Sequence, residues 1–340
     1  MSFSFGKRHD AFGQVCCKKG AKNMDEKINI GISSCLLGEK VRFDGSHKHE
    51  RYLTGTLGEF FHWVPTCPEV AIGLPVPRPT IRLQSSEDGP RLIEPKAGTD
   101  LTDKMAKYAR KRAKELQSSE IYGYILKSKS PSCGMARIKI YKGHGVRPAT
   151  NGQGVFAKEL GEVNPDLPIE EEGRLMDYVL RENWVRRVFA YYAFKNQVAK
   201  RPTVGKMVGF HSRYKFSILS HCEASYRELG QIVAGAKQKG ALTASKEYQG
   251  IMMAAMKKRA TKAKHVNVME HLFGFFKKVL DKKVRDEIRQ SIQDYKKGYV
   301  SMIVPVTLLR HYANMLEIEY LQSQSYLNPH PKQLALLSTI

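Results

Sequence analysis

The chain has 340 residues, 42% of them hydrophobic, so it can fill two hydrophobic cores and is too long for one small domain. No apolar run is long enough to span a bilayer, and the N-terminus lacks the apolar segment of a secretory signal, so we expect a cytoplasmic protein without membrane contact. The 56 Lys and Arg residues outnumber the 33 Asp and Glu residues, and the formal net charge of +23 favours a polyanionic partner, most often nucleic acid.

The first part of the chain divides into a leader and an α/β domain. Residues 1–26 mix glycine with basic residues and lack hydrophobic periodicity, which predicts a disordered basic leader. From residue 27 onward strand patterns alternate with helix patterns, which predicts a Rossmann-like open sheet domain over residues 27–195. The predicted elements include strands at Lys27–Ser33, Trp63–Cys67 and Ile121–Lys127 and a helix at Thr102–Gln117.

The second half of the chain is predicted to be helical. A proline followed closely by the acidic run Glu170–Glu172 is typical of a helix start, so we expect a helix over residues 168–189. Farther on, apolar residues recur with a period of about 3.6. One such stripe, Leu219–Ala236, includes Cys222 and predicts a single long helix. We therefore expect a C-terminal all-α domain over residues 196–340.

Three cysteines stand where a predicted strand ends. Cys35 and Cys67 follow the first and second strands, and Cys133 lies in the loop after the third. Because ligands bind at the carboxyl ends of strands in open α/β sheets, we expect these thiolates to converge on one iron–sulfur cluster. A cluster with three protein thiolates keeps one iron open, and that iron can bind substrate as a Lewis acid. The six cysteines of the chain are Cys16, Cys17, Cys35, Cys67, Cys133 and Cys222.

Other uses of the cysteines are also testable on the sequence. No Cys-x-x-Cys pair exists, which argues against a zinc ribbon and against thioredoxin-like chemistry. A disulfide framework does not suit a chain without an export signal. A catalytic cysteine with a histidine base stays open, because His47, His49 and His62 lie near the first two strand-end cysteines.

Polar residues beside these cysteines are candidates for proton transfer and substrate contact. Glu69 follows Cys67 closely, and a carboxylate near a buried cluster can carry protons. Ser130 and Ser132 place two hydroxyls beside Cys133, and both stay candidates.

Six segments around these residues form a combined pattern. They are Ser34-Cys-Leu-Leu-Gly, Arg42-Phe-Asp-Gly, Cys67-Pro-Glu, Gly73-Leu-Pro-Val-Pro-Arg-Pro, Ser130-Pro-Ser-Cys-Gly and Gly152-Gln-Gly-Val-Phe-Ala. Taken together, they resemble the thiouracil desulfidase (TudS) family over about residues 28–185.

The resemblance implies a cofactor and a set of roles. The implied cofactor is a [4Fe-4S] cluster with one iron not ligated by protein, and its ligands would be Cys35, Cys67 and Cys133. The implied reaction is the hydrolytic, non-redox removal of sulfur from a thiocarbonyl base with release of hydrogen sulfide. Glu69 would be the acid/base, and Ser130 or Ser132 would contact the substrate. The candidate substrate-binding residues are Arg42, Asp44 and Arg78.

The helical half carries the segments Phe210-His-Ser-Arg-Tyr-Lys and Asn328-Pro-His-Pro. They resemble a domain of unknown function that often follows the desulfidase module, and the arrangement resembles RudS-type desulfidases. This resemblance implies that 4-thiouridine in tRNA is the substrate and uridine the product. Two alternatives stay open: a desulfidase of free thiouracil or thiolated nucleotides, and a non-catalytic nucleic-acid-binding iron–sulfur sensor.

Two basic runs in the second half of the chain predict where RNA binds. Clustered cations near aromatic residues suit phosphates and bases, although solvated helix faces give the same pattern. The predicted RNA-binding residues are Arg186, Arg187, Lys257, Lys258, Arg259, Lys262 and Lys264.

Overall fold

The computed structural model describes residues 27–142, 146–331 and 334. The predicted leader, with Cys16 and Cys17, lies outside the described residues. The strands are β1 (Ile28–Ser33), β2 (Phe61–Thr66), β3 (Arg82–Gln84), β4 (Arg91–Glu94), β5 (Thr99–Asp100), β6 (Tyr124–Leu126), β7 (Ile138–Tyr141), β8 (Ala149–Gly152) and β9 (Ile169–Glu171). The helices are α1 (Arg51–Thr54), α2 (Pro68–Ala71), α3 (Thr102–Ser118), α4 (Val155–Val163), α5 (Tyr178–Phe194), α6 (Val204–His221), α7 (Glu223–Ala234), α8 (Ala236–Lys239), α9 (Ala241–Lys257), α10 (Lys262–Phe273), α11 (Lys282–Lys297), α12 (Ile303–Met315) and α13 (Glu319–Gln322).

A parallel sheet in the order β2-β1-β6-β9 forms the centre of the N-terminal part. Its two central strands, β1 and β6, are mostly buried because both faces are covered, and Ile30, Ile32 and Ile125 are fully buried. Trp184 of α5 packs edge-on against Phe61 of β2 at 5.8 Å between ring centroids, and its Nε1 donates to the Pro168 carbonyl. The fold-class prediction, an α/β part followed by an all-α part, is confirmed.

A second sheet, in the order β5-β4-β3-β7-β8, was not predicted from the sequence. Its strands have two to four residues each, and they mix parallel and antiparallel pairs. Such short strands carry too few alternating positions for a periodicity signal.

The predicted helix start at Glu170–Glu172 is wrong, because β9 occupies this place and pairs in parallel with β6. All three carboxylates are buried and each accepts hydrogen bonds, so the acidic run is held by partners within the fold. Helix α5 begins only at Tyr178. Its N-cap is Asp177, whose carboxylate accepts from the backbone N–H groups of Val179 and Leu180.

The predicted long helix over Leu219–Ala236 is two helices, because α6 ends at His221 and α7 starts at Glu223. One apolar cluster runs from the parallel sheet through α5, α6 and α9 without a break near residue 195, and a second cluster joins α10, α11 and α12. The domain boundary at residues 195–196 therefore stays a prediction. None of the helices in the described ranges is both long and apolar enough to cross a membrane.

Helix α4 fixes the loop that carries Cys133. The Ser132 carbonyl accepts from the backbone N–H groups of Phe156 and Ala157, so the loop backbone lies against the N-terminus of α4. A Cβ at Gly154 would stand 2.5 Å from that carbonyl oxygen, whereas one at Gly161 in the same helix would meet nothing within 4 Å.

We expect Gly154→Ala to destabilise the protein by about 1–3 kcal/mol, because the methyl group must push the loop away. Gly161→Ala is the matched control and should stabilise by up to about 1 kcal/mol, since alanine is the better helix former. Urea unfolding followed by circular dichroism measures both. Equal effects of the two substitutions would show that the loop does not constrain position 154.

Candidate functional site

A cavity of about 410 Å³ opens at the carboxyl ends of β1, β2 and β6. This volume lies in the range of small-molecule sites, about 300–1,000 Å³. The residues that line it include Cys35, Cys67, Cys133, Glu69, Arg78 and Ser130. The structure therefore brings the three strand-end cysteines and the proposed acid/base to one place.

Each cysteine reaches the cavity by a tight turn of the backbone. Cys35 lies in a 3-10 turn directly after β1, and its carbonyl accepts from the Lys48 backbone N–H at 2.8 Å. Cys67 is the N-cap residue of α2, where Pro68 occupies the first turn. Cys133 lies in a turn closed by the hydrogen bond from the Gly134 N–H to the Ser130 carbonyl.

Burial dominates the electrostatics of the three thiols. It raises the pKa of Cys35 to about 11, with a further increase from the nearby Cys67, and it also raises the pKa of Cys67. Burial raises the pKa of Cys133 well above its usual value, and Glu69 and Cys67 add to the effect. The free thiols are thus protonated at neutral pH and are poor nucleophiles.

These pKa values argue against a cysteine nucleophile with a histidine base. His47, His49 and His62 are not among the residues lining the cavity. His49 instead hydrogen-bonds Thr54 through its Nε2, and His62 is exposed on β2. No histidine described here stands where it could take a proton from a cavity thiol.

The donor set fits an iron–sulfur cluster. All three thiols are free cysteines, and thiolate sulfur is the ligand of such clusters, which take up the deprotonated form. Among the described residues no group of three or more His, Cys, Asp or Glu is arranged to hold a single metal ion. Lys127 and Arg42 are close enough to Cys35 to lower its pKa and would offset the charge of bound thiolates.

Glu69 and Arg78 form a buried ion pair at the cavity wall. Arg78 Nη2 and Nε donate to the same carboxylate oxygen, Glu69 Oε2, at 2.6 and 3.0 Å. The Arg78 side chain is 3% exposed and that of Glu69 14%. The structure thus places Arg78 against the proposed acid/base, and its predicted contact with substrate stays a prediction.

The two candidate serines have different environments. Ser130 lines the cavity, and its Oγ accepts from the backbone N–H groups of Ser132 and Cys133, which leaves its own hydrogen free to donate. Ser132 is fully buried, is absent from the cavity lining, and its Oγ has no partner. The geometry favours Ser130 for contact with a bound molecule.

Of Arg42 and Asp44, the other predicted substrate-binding residues, only Arg42 lines the cavity. Arg42 lines the cavity, with its Nε at 3.2 Å from Ser46 Oγ and 3.5 Å from Asp44 Oδ1. Asp44 does not line it. Hydrogen bonds from Ser46 lower the pKa of the exposed Asp44 carboxyl to about 2, so this residue shapes the loop beside Arg42.

Sequence reasoning missed four residues that support the site, namely Ser33, Lys127, Ser128 and Glu172. Ser33 lines the cavity, its Oγ accepts from the Lys127 backbone N–H, and its hydroxyl hydrogen-bonds Cys133. Glu172 accepts from Lys127 Nζ and from both the N–H and the Oγ of Ser128. The only sequence signal for Glu172 is the run of three acidic residues, and this run does not distinguish a helix start from a buried strand.

The predicted RNA-binding residues do not share one surface. Arg186 and Arg187 are only 6% and 7% exposed, so neither lies on the open surface of this structure, and their contact with RNA stays a prediction. Arg186 donates to Glu182 and lies over the Tyr326 ring, and burial lowers the pKa of Arg187 to about 10. The others lie at the α9–α10 connection, where Lys257, Lys258, Arg259 and Lys262 are exposed and Lys264, half-buried, donates to the His221 carbonyl.

Cys222 is not the buried core residue that the helical pattern predicts. It is the half-buried N-cap residue of α7, and its sulfur accepts from Ser225 Oγ and Lys258 Nζ. These hydrogen bonds, with that from Ser225 largest, lower the pKa of the thiol to about 7.

The fold and the cavity define an α/β protein with a thiol-lined ligand site at the carboxyl ends of its parallel strands. Residues 30–172 match the family of 2-thiouracil desulfurase, and residues 215–331 match a family of unknown function, DUF1722. Uncharacterized protein YbbK of Bacillus subtilis (strain 168) is 32% identical over 151 residues, which is 42% of this chain and 96% of that protein. Through its N-terminal part the chain belongs to the 2-thiouracil desulfurase family.

Two further relatives are similar over comparable lengths. Uncharacterized protein YbgA of Escherichia coli (strain K12) is 27% identical over 151 residues, or 44% of this chain and 89% of that protein. The solved structure of the [4Fe-4S]-dependent thiouracil desulfidase TudS is 30% identical with a TM-score of 0.36, over 44% of this chain and 95% of its own.

We expect Glu172→Gln to destabilise the protein by about 3–5 kcal/mol, because it leaves Lys127 buried without its counter-charge. The two side chains are 11% and 17% exposed. The matched control is Glu247→Gln, whose pair with Lys239 is 37% and 48% exposed and should contribute about 1 kcal/mol or less. Chemical unfolding compares them, and similar losses would contradict a supporting role for the buried pair.

We expect Cys222 to react with iodoacetamide more than about tenfold faster than Cys35 in metal-free protein at pH 7, because only thiolates alkylate. With a pKa of about 7, the Cys222 thiol is about half deprotonated there, whereas Cys35 with a pKa of about 11 is protonated. Peptide mass spectrometry reads each site separately. Ser225→Ala should raise the pKa of Cys222 and slow its reaction, and an unchanged rate would contradict the hydrogen bond.

Proposed function

We propose that the protein is a [4Fe-4S]-dependent, non-redox desulfidase that converts 4-thiouridine in tRNA to uridine and releases hydrogen sulfide. The observation that carries this proposal is the cavity in which three free thiols, two of them buried and one half-buried, come together with one carboxylate. Membership of the 2-thiouracil desulfurase family supports the thiocarbonyl chemistry.

The cofactor would be held by Cys35, Cys67 and Cys133. No further cysteine or histidine lines the cavity among the described residues, which supports a cluster with one iron not ligated by a protein thiolate or imidazole. When bound, such a cluster supplies a Lewis acid for the thiocarbonyl sulfur, a soft donor that suits iron better than the oxygen replacing it.

The chain's own residues supply the remaining chemistry. Glu69 would take a proton from the water that attacks C4 of the base, since its carboxylate faces the cavity wall beside the cysteines. Ser130 can donate its free hydroxyl hydrogen to the base. Arg42, which also lines the cavity, would stabilise negative charge that develops on the substrate.

The charge of the chain supports RNA over a free base as the substrate. A thiouracil molecule needs no +23 net charge, whereas the exposed basic residues Lys257, Lys258, Arg259 and Lys262 suit a phosphate backbone. A base within folded RNA must leave its stack to enter the cavity.

The decisive experiment compares three substrates with anaerobically reconstituted protein. We expect tRNA containing 4-thiouridine to lose the modified nucleoside and to release an equal amount of sulfide, with binding that weakens steeply as salt rises. Nucleoside mass spectrometry and a sulfide assay give the measurements. Turnover of free thiouracil or thiolated nucleotides but not of tRNA would overturn the RNA assignment, and RNA binding without sulfide release would indicate a sensor.

We expect Cys67→Ser to abolish both turnover and the visible absorbance of the cluster, because serine oxygen replaces a thiolate ligand. Cys222→Ser is the matched control, since Cys222 lies outside the cavity lining, and should retain turnover, iron content and absorbance. Iron analysis and sulfide release measure these effects. A Cys67→Ser protein with full activity would remove the proposed cluster from the reaction.

A further inference from the structure

The role of Arg78 can be deduced from how completely its guanidinium is used. Nε and Nη2 donate to Glu69 Oε2, Nη2 also donates to the Val41 carbonyl at 3.0 Å, and Nη1 donates to the Pro75 carbonyl at 3.2 Å. Four of the five N–H donors of the side chain are thus engaged within the protein. The backbone N–H of Arg78 is held as well, by the Phe43 carbonyl at 2.8 Å.

The same contacts divide the two oxygens of Glu69. Oε2 receives two N–H groups from Arg78, whereas Oε1 receives no hydrogen bond from any described residue. Glu69 lines the cavity, so Oε1 is the oxygen that a substrate or a water molecule can use. Because both donors bind the same oxygen, the contact holds Oε2 at the guanidinium and leaves Oε1 without a partner among the described residues.

Arg78 is also tied to the cysteine beside Glu69. The Val41 carbonyl that accepts from Arg78 lies 3.8 Å from Cys67 Sγ, so one backbone oxygen contacts both side chains. The loop that carries Arg42, the turn at Cys67 and the segment of Arg78 are therefore fixed relative to one another.

We propose that Arg78 is a positioning residue, not a substrate ligand: it holds Oε2 of Glu69 and leaves Oε1 as the oxygen that exchanges a proton with the attacking water. This inference rests on the proposed function. A substrate anion would have to displace Glu69 or a backbone carbonyl to reach the guanidinium, because only one N–H donor is unused.

The test is a double-substitution cycle on the reconstituted protein. We expect Arg78→Met to lower kcat by about 100-fold with an unchanged KM, since a misplaced catalytic group costs rate and not binding. Glu69→Ala should also lower kcat and should include the loss caused by Arg78→Met, because it removes the carboxylate that Arg78 positions. Adding Arg78→Met to Glu69→Ala should cause no further loss, because the arginine acts only through the carboxylate.

Further variants separate positioning from folding. Arg78→Lys keeps the charge but loses the planar fork, so its kcat should lie between those of the wild type and Arg78→Met. Arg91→Met, which removes an arginine paired with Asp100 on the surface, should leave kcat and KM unchanged. Iron content and cluster absorbance report whether each protein is folded and loaded, and if Arg78→Met does not fold, Arg78→Lys is judged by the same cycle.

Each outcome has one interpretation. A raised KM with kcat retained would make Arg78 a substrate ligand, and losses that multiply in the double variant would give it a role independent of Glu69, so either result overturns the inference. If wild-type protein releases no sulfide from any thiolated substrate, or if Glu69→Ala is fully active, the proposed function fails first.

Discussion

The shape of the cavity depends on hydrogen bonds to buried carboxylates, because a buried carboxylate must accept hydrogen bonds from nearby N–H or O–H groups. Strand β9 lies at the edge of the parallel sheet, and two consecutive glutamates hold the two ends of the loop that carries Cys133. At the start of that loop, Glu172 accepts hydrogen bonds from Lys127 Nζ and from the Ser128 N–H. At its end, Glu171 accepts from the Met135 N–H at 2.8 Å. An unpaired buried carboxylate is costly, so these hydrogen bonds stabilise the loop against the strand.

The same constraint explains how three thiols and a carboxylate can share a small volume. Each acidic group near the cavity has its own cation or N–H donors: Glu172 has Lys127, and Glu69 has Arg78. The thiols have only weaker partners, such as the Ser33 hydroxyl at Cys133. Burial outweighs these contacts and raises the pKa of all three thiols, so they stay protonated at neutral pH. Deprotonating the three thiols together costs free energy that the protein alone does not supply. Binding of a cluster can offset this cost, because the thiols lose their protons when they become thiolate ligands.

The sequence allowed the cysteine cavity to be predicted, because a strand end is a local signal and parallel strands place their carboxyl ends at one edge. It did not allow strand β9 or the burial of Arg186 to be predicted. A run of three glutamates has the same local form in a helix start and in a buried edge strand, and only the partners, which are distant in the sequence, decide between them. The split between α6 and α7 was hidden for a related reason: the apolar stripe continues across Cys222 although the backbone turns there.

Arg186 shows why the helical half cannot be treated as a separate attachment. It lies on α5, the helix that packs Trp184 against the sheet, yet its neighbours Tyr326, His265 and His221 belong to the helical half. Burial, with the nearby guanidinium as a smaller contribution, lowers the pKa of His221 to about 4, so this imidazole is neutral at pH 7 and adds no second positive charge beside Arg186. The proposed RNA surface at the α9–α10 connection, where the Lys258 carbonyl accepts from His221 Nδ1–H, thus shares its packed core with the cysteine cavity.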